Sequence, residues 1–478
     1  MRSNMLIAGR NGPATLTTVL FLTLLPGLSA RGQTVERGVV PLPALTEELT
    51  SDAGGAAGYV DAAEYAPDSH DRLAALEAEV KRLVAADNKR KSDAAKKPSF
   101  IIGGQLQADY LYFDQDEANR AAVGDVPDVV DFRRARLTAR GEAFEVIEYA
   151  IGFDFALPGR PSFLDVFVGV HDLPYLGHAR VGHFFEPFSL ERFTLNRYNT
   201  FMERSLADAF APARNTGINA YNTLGEDERA TWSIGWFASG SDNFGDQFTD
   251  TGGQAVTGRL TWLPFYDDTS DGRSYVHVGG GYSYRTPSAG TVAFASFPEA
   301  RAGTPSAANV PPFVNTGAIP AEDNQLYGAE FAWIAGPLSF QAEYMVAPVE
   351  QIGGPELQFH GGYAYVSYFL TGEHRPYNKK FGIHDRVIPF EDFFRVRSCD
   401  GPIVQGCGAW EIAARWSYLD LTDENIAGGV EDNATLGLNW YLNPYTRVKW
   451  EYIFANLDRP PVGDSEAHIV GMRFDIDF

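Results

Sequence analysis

Basic side chains carry most of the chemistry this sequence has to offer. In "FRRARLTARG", Arg134, Arg136 and Arg140 fall on one side of an alternating segment. Arg259, Arg285, Arg415, Arg447, Lys449 and Arg473 take the corresponding polar side of further alternating segments. Arg192, Arg197 and Arg204 stand instead in a long stretch without alternation. A guanidinium stays charged, is weakly hydrated, and presents a fork that matches the oxygens of a carboxylate or a phosphate, whereas lysine acts as a point charge. Such rows can hold an anion, or they can neutralise acids on the same polar sides, such as Asp109, Asp154, Glu411 and Glu451. Pairing with an acid is the default for any single position. Arg192, Arg197 and Arg204 are the stronger candidates as a group.

The other reactive residue types form no constellation. "HDLPYLGHARVGH" brings His171, His178 and His183 close in sequence, but the chain has no H-E-x-x-H, G-x-S-x-G or phosphate-loop motif. These histidines read as turn or wall residues. Cys399 and Cys407 are the only cysteines, too few for a metal centre, and in an exported chain they read as a local disulfide. No metal or cofactor is expected. A net charge of -23 and the lack of a Gly-rich strand-to-helix motif speak against nucleic acids and dinucleotides as partners.

Strands must position these side chains. Aromatic residues make up 13% of the chain, with 48 Gly and 22 Tyr, a composition that leans toward strands, turns and aromatic belts. From Ser99 onward, alternating segments bounded by Gly, Pro, Asn and Asp recur sixteen times, from "GQLQADYLYF" to "HIVGMRFDIDF". Within them Leu436, Leu438, Trp440 and Leu442 oppose Gly437, Asn439 and Tyr441. Val448, Trp450, Tyr452 and Phe454 oppose Arg447, Lys449 and Glu451, while Val470, Met472, Phe474 and Ile476 oppose Arg473, Asp475 and Asp477. One face is greasy and the other ionic.

A soluble sandwich sorts its side chains the same way, so the rest of the chain has to decide. Residues 1–33 have the layout of a secretory signal peptide, with Arg2 and Arg10 ahead of an apolar run and small residues near Ala30 and Gly32. Residues 34–68 read as a disordered linker. Residues 69–98 read as a short coiled coil or periplasmic helix, with Leu73, Leu76, Val80 and Leu83 along one seam. No later segment offers the roughly 18 uncharged apolar residues of a spanning helix. Trp and Tyr at strand ends suit an interfacial girdle, and strands in lipid satisfy their backbone only by closing. The expectation is an all-β fold, a 16-stranded antiparallel transmembrane β-barrel over 99–478, with apolar faces on hydrocarbon and ionic faces around water. Three connectors, 186–212, 286–325 and 372–409, are too long for turns and are expected to fold inward and narrow the lumen.

The first connector, within "VGHFFEPFSLERFTLNRYNTFMERSLADAFAPARNTGI", resembles the phosphate-selective porins O and P. "FRRARL" followed by "YAIGFDFA", "YFLTGEHRPYN", "GAWEIAARWSYLDL" and "LNWYLNPYTRVKWEYIFA" are similar too, so the resemblance covers most of 99–478. It implies a bacterial outer-membrane porin with no catalytic activity, a homotrimer of barrels each with its own pore. It also implies an anion path lined by arginines and lysines, for which the basic residues named above are the candidates. The implied partners are outer-membrane lipid and inorganic anions or small polar solutes. A closing aromatic such as Phe478 on an amphipathic strand resembles the ending that outer-membrane assembly machinery recognises in many bacterial barrels. Residues 99–478 hold 50 acidic and 27 basic side chains, an excess that would repel anions if it lined the pore. A general, cation- or sugar-permeable porin is therefore the alternative within this fold. An outer-membrane barrel enzyme and a soluble carbohydrate-binding β protein are the readings from other classes.

Overall fold

The computed structural model describes residues 74, 76–87, 89, 97–156, 159–240, 243–244, 252–301, 310–397 and 403–478. The expected signal peptide and linker lie outside the described residues. Of the 69–98 segment, 76–87 is helical, with Leu76, Val80 and Leu83 exposed.

Sixteen long strands build the barrel. They are β1 (Ile101–Gln115), β2 (Val129–Ala143), β3 (Ile147–Asp154), β4 (Val166–Leu173), β5 (Gly177–Phe185), β6 (Arg214–Leu224), β7 (Ala230–Ser239) and β8 (Gly253–Tyr266). There follow β9 (Ser274–Thr286), β10 (Ile319–Ala335), β11 (Leu338–Gln351), β12 (Leu357–Phe369), β13 (Ala409–Asp423), β14 (Ile426–Asn443), β15 (Thr446–Arg459) and β16 (Gly463–Asp477). Each pairs antiparallel with its chain neighbours, and β16 returns to pair with β1. Phe478 completes the seam by exchanging backbone hydrogen bonds with Gly104, at 2.9 and 3.1 Å. Closure gives every barrel strand a partner on both sides, the arrangement that a sheet in hydrocarbon requires.

The side-chain sorting follows the alternation. Leu260, Leu436 and Trp416 face out and are 63%, 59% and 54% exposed, whereas Arg473, Lys449 and Arg415 face in and are 1%, 1% and 3% exposed. The inner face is not uniformly ionic, however. On β10–β13, β15, β16 and β1, the half of the inner wall farther from the short turns is apolar, with Met345, Val349, Phe359, Leu419, Ile453 and Ile469 buried in one continuous cluster, whereas β14 presents Glu431 and Asn433 there. The long connectors bring Phe188, Leu206, Phe210, Phe294 and Phe313 into the same cluster. Loops that fold inward must bury their own apolar side chains, and only an apolar stretch of wall can receive them.

Antiparallel order gathers the turns 144–146, 174–176, 225–229, 267–273, 336–337 and 444–445 at one end, with Ser99 and Phe478. Of the three long connectors, 186–213 and 287–318 spring from the opposite end, and 370–408 from the short-turn end.

Candidate functional site

After β5 the chain turns into the lumen. Ser189 caps one helical turn, Leu190–Phe193, accepting a hydrogen bond from the Arg192 N–H at 3.1 Å. Beyond it the backbone has no strand partner, and buried carbonyls need donors. The wall supplies them. Arg447 donates to Asn199 O at 3.1 Å, Lys449 to Asn199 O and Phe201 O at 2.9 and 2.7 Å, Arg415 to Glu203 O at 3.1 Å, and Arg473 to Met202 O. Wall acids take the N–H groups. Glu343 accepts from Leu190 and Glu191 at 3.0 and 2.7 Å, and Glu451 accepts from Met202. The arginines are neutralised at the same time, Arg447 by Asp475 at 2.8 Å, Arg473 by Asp109 at 2.6 Å and Arg415 by Glu299 at 2.7 Å.

The connector from the short-turn end is held alike. Arg259 forks onto Glu330 at 2.8 and 2.7 Å and donates to Phe381 O and Gly382 O at 3.1 and 2.9 Å. His384 bridges the Tyr275 hydroxyl and Gln341 at 2.9 and 2.8 Å. Arg375 joins the two connectors, meeting Glu411 at 2.6 Å while donating to Tyr198 O at 2.9 Å and the Thr200 hydroxyl at 2.5 Å.

Open space remains beside β2, β3 and β6. Two cavities of about 240 and 210 Å³ share Arg133, Arg134, Arg192, Arg204 and Arg301 in their walls, and Arg136 and Arg214 line the second. Four carboxylates face these seven arginines: Glu203, Asp208, Glu299 and Asp154. Arg133 forks onto Glu203 at 2.9 and 3.0 Å, Arg136 meets Asp154 at 2.7 Å, and Arg192 meets Asp208 at 2.9 Å. Arg134 donates to Gln107 at 2.6 Å. Arg204 donates to the carbonyls of Glu191 and Arg192, both at 3.1 Å. Arg214 reaches Asp165 at 2.9 Å and lies over the Phe185 ring at 3.9 Å. Arg301 makes no ion pair among the described residues and stacks on Phe297 at 4.4 Å.

Burial lowers the Arg192 and Arg301 guanidinium groups to about 10, so both remain charged at neutral pH. Burial alone would raise the Glu203 carboxyl, but Arg133, Arg134 and Arg473 overcome it and hold the group well below the usual carboxylate range. Glu191, behind the passage, is pushed up to about 7 by burial, against the pull of Arg415. The passage is thus a dense arginine wall whose ion pairs leave a positive excess facing the opening.

Of the basic residues singled out in the sequence, Arg134, Arg136, Arg192 and Arg204 meet in this passage. Arg415, Arg447, Lys449, Arg473 and Arg259 act as staples between wall and connectors. Arg285 meets Glu186 at 2.7 Å, Arg197 meets Asp477 at 3.0 Å, and Arg140 is exposed on β2 toward the short-turn end. Arg133, Arg214 and Arg301 are additional members. Strict alternation points Arg133 at lipid, but the β1–β2 register slips between Gln107 and Ala108 and turns it inward. His171 and His178 face each other across a hairpin with rings 5.9 Å apart, and His178 stacks on Tyr221 at 4.7 Å, as wall residues would. Among the described residues no group of three or more metal-ligating side chains occurs. The expected Cys399–Cys407 disulfide involves Cys399, which lies outside the described residues; Cys407 is exposed.

A closed barrel with a greasy exterior, a charged interior and connectors folded into its lumen defines a porin of the bacterial outer membrane. The chain belongs to the family of phosphate-selective porins O and P, whose model matches residues 100–478. It is similar to Porin O of Pseudomonas aeruginosa, 28% identical over 401 residues, covering 76% of this chain and 84% of that one. It is 26% identical to an uncharacterised protein of Caulobacter vibrioides over 365 residues, covering 73% and 68% of the two chains. Among solved structures it is similar to an anion-selective porin from Comamonas acidovorans, at 11% identity and a TM-score of 0.48, covering 80% of this chain and all of that one.

Proposed function

We propose that the passage beside β2, β3 and β6 conducts small anions, with phosphate among its solutes. One observation carries this reading: seven arginines against four carboxylates line the two adjoining cavities. The guanidinium fork suits a phosphate oxygen pair, and rows of such groups let an anion change partners along the path instead of lodging at one. The acidic excess of the chain does not oppose this. Asp114, Glu350, Asp458, Asp464 and Glu466 are exposed on outward positions at strand ends, away from the passage. Beyond a Debye length of about 8 Å at physiological ionic strength such charges are largely screened.

Planar-bilayer recordings test the reading. Reversal potentials in a salt gradient should report anion preference, and added phosphate should reduce chloride current. Replacing Arg301 or Arg204 by Gln should weaken both effects. Cation preference with no response to phosphate would retain the porin and discard the anion path. The same reading makes the protein a homotrimer of separately conducting barrels with no hydrolytic activity. Native mass spectrometry in detergent and hydrolysis assays on purified protein address those two points.

A further inference from the structure

The lipid side of the barrel carries a groove that the channel does not use. It has a volume of about 470 Å³, is floored by Gly258 of β8 and Gly280 of β9, and is walled by Trp232, Ile234, Leu260 and Tyr282. Register explains the hollow. Gly258 pairs with Ile234 on one side and Tyr282 on the other, and Gly280 pairs with Leu260 and Ala329, so missing side chains lie beside large ones. Packing inside the barrel accounts for the neighbouring inward glycines. A Cβ on Gly281 would stand 2.4 Å from the Phe188 carbonyl oxygen, and one on Gly328 would stand 3.2 Å from the Phe188 ring. Gly258 is different: a Cβ there meets nothing nearer than 3.5 Å. No internal contact requires that glycine, and what it leaves is room on the outside.

The groove lies in the part of the wall built to face hydrocarbon. β8, β9 and β10 are 14, 13 and 17 residues long, against 8, 8 and 9 for β3–β5. Exposed Tyr282, Tyr284 and Tyr327 lie on the far side of it, and exposed Trp262, Phe265 and Trp333 toward the short-turn end. Aromatic rings at both levels mark a lipid-contacting band. The tyrosine hydroxyls are turned to their own neighbours: Tyr282 and Tyr327 donate to Gln325 at 3.1 and 2.7 Å, and Tyr284 donates to Asp323 at 3.2 Å. Carbon is therefore what the groove offers, continuous with the surface already in contact with the membrane. We propose that it binds one acyl chain of a membrane lipid, laid over Gly258 and Gly280 and flanked by Leu260 and Ile234.

The test compares wild type with Gly258→Leu, a side chain the backbone admits and the groove would receive. Protein extracted in mild detergent and measured by native mass spectrometry should retain lipid in the wild type and lose it in the variant, with single-channel conductance unchanged. Equal lipid retention in both would overturn the proposal. Electron cryomicroscopy of the wild type in nanodiscs gives an independent reading, and stands alone if the variant fails to insert. Rod-like density along Gly258 and Gly280 supports the acyl chain. An empty groove, or one filled by a second copy of the chain, ends it.

Discussion

The two sides of the lumen are built from the same alternating strands and behave in opposite ways. Along β10–β13, β15, β16 and β1, connector side chains such as Phe188 and Phe313 pack on an apolar wall, and basic residues lower down hold connector carbonyls. Along β2, β3 and β6 only Val129, at one end of β2, joins that packing among the described residues, and arginines border open space. An inward arginine is thus a fastener on one side and a lining group on the other. Among the strand arginines, what separates the two roles is whether a backbone carbonyl has been brought within reach; Arg192 and Arg204, on the connector itself, line the passage while holding carbonyls of their own segment.

That contrast can be broken from the packed side first. Replacing Arg473 by Ala leaves Asp109 buried without its cation and removes a partner of Glu203, and breaking a buried pair in this way costs about 3–5 kcal/mol. The expected outcome is a clearly lowered urea midpoint in detergent. Phe188→Ala should cost a similar or slightly smaller amount, about 3–5 kcal/mol for a large aromatic removed from a packed site. It should also broaden the distribution of single-channel conductances as the connector loosens.

The open side should respond in permeation instead of stability. Arg301→Gln removes a guanidinium that makes no ion pair among the described residues, so stability should stay within about 0.5 kcal/mol while the anion-over-cation permeability ratio falls. A drop in stability without a change in selectivity would place Arg301 among the fasteners. The smallest effect expected is a pH dependence. Glu191, whose carboxyl is raised to about 7, gains a proton as pH falls through that value. The interior then loses a negative charge, and anion preference should rise on acidification between pH 8 and 6. Glu191→Gln should abolish this step, and a flat wild-type profile would count against it.

Strand positions were legible in the sequence because burial on one face and lipid on the other impose a period of two, which "LSFQAEYM" and "TLGLNWYLN" display openly. Each of the sixteen expected segments overlaps one observed strand, although several, such as 162–172 and 357–371, run past its ends. The long connectors were legible as breaks in that period, and Arg204 through its surrounding motif. Arg133 was not, because a one-residue slip in register reverses its direction and leaves no mark in composition. Nor was the apolar half of the inner wall. Ile453, for example, alternates with the aromatic outward neighbours Tyr452 and Phe454, so no contrast flags it as facing a packed interior. Arg301 sits where no periodicity exists, and only the folded connector places it at the opening.

The pairing of β16 with β1 fixes an order of events. Asp109 and Arg473, joined across that seam, are 364 positions apart, so the two strands that complete the ring are the most distant in sequence. The seam can therefore close only after every intervening strand has been made.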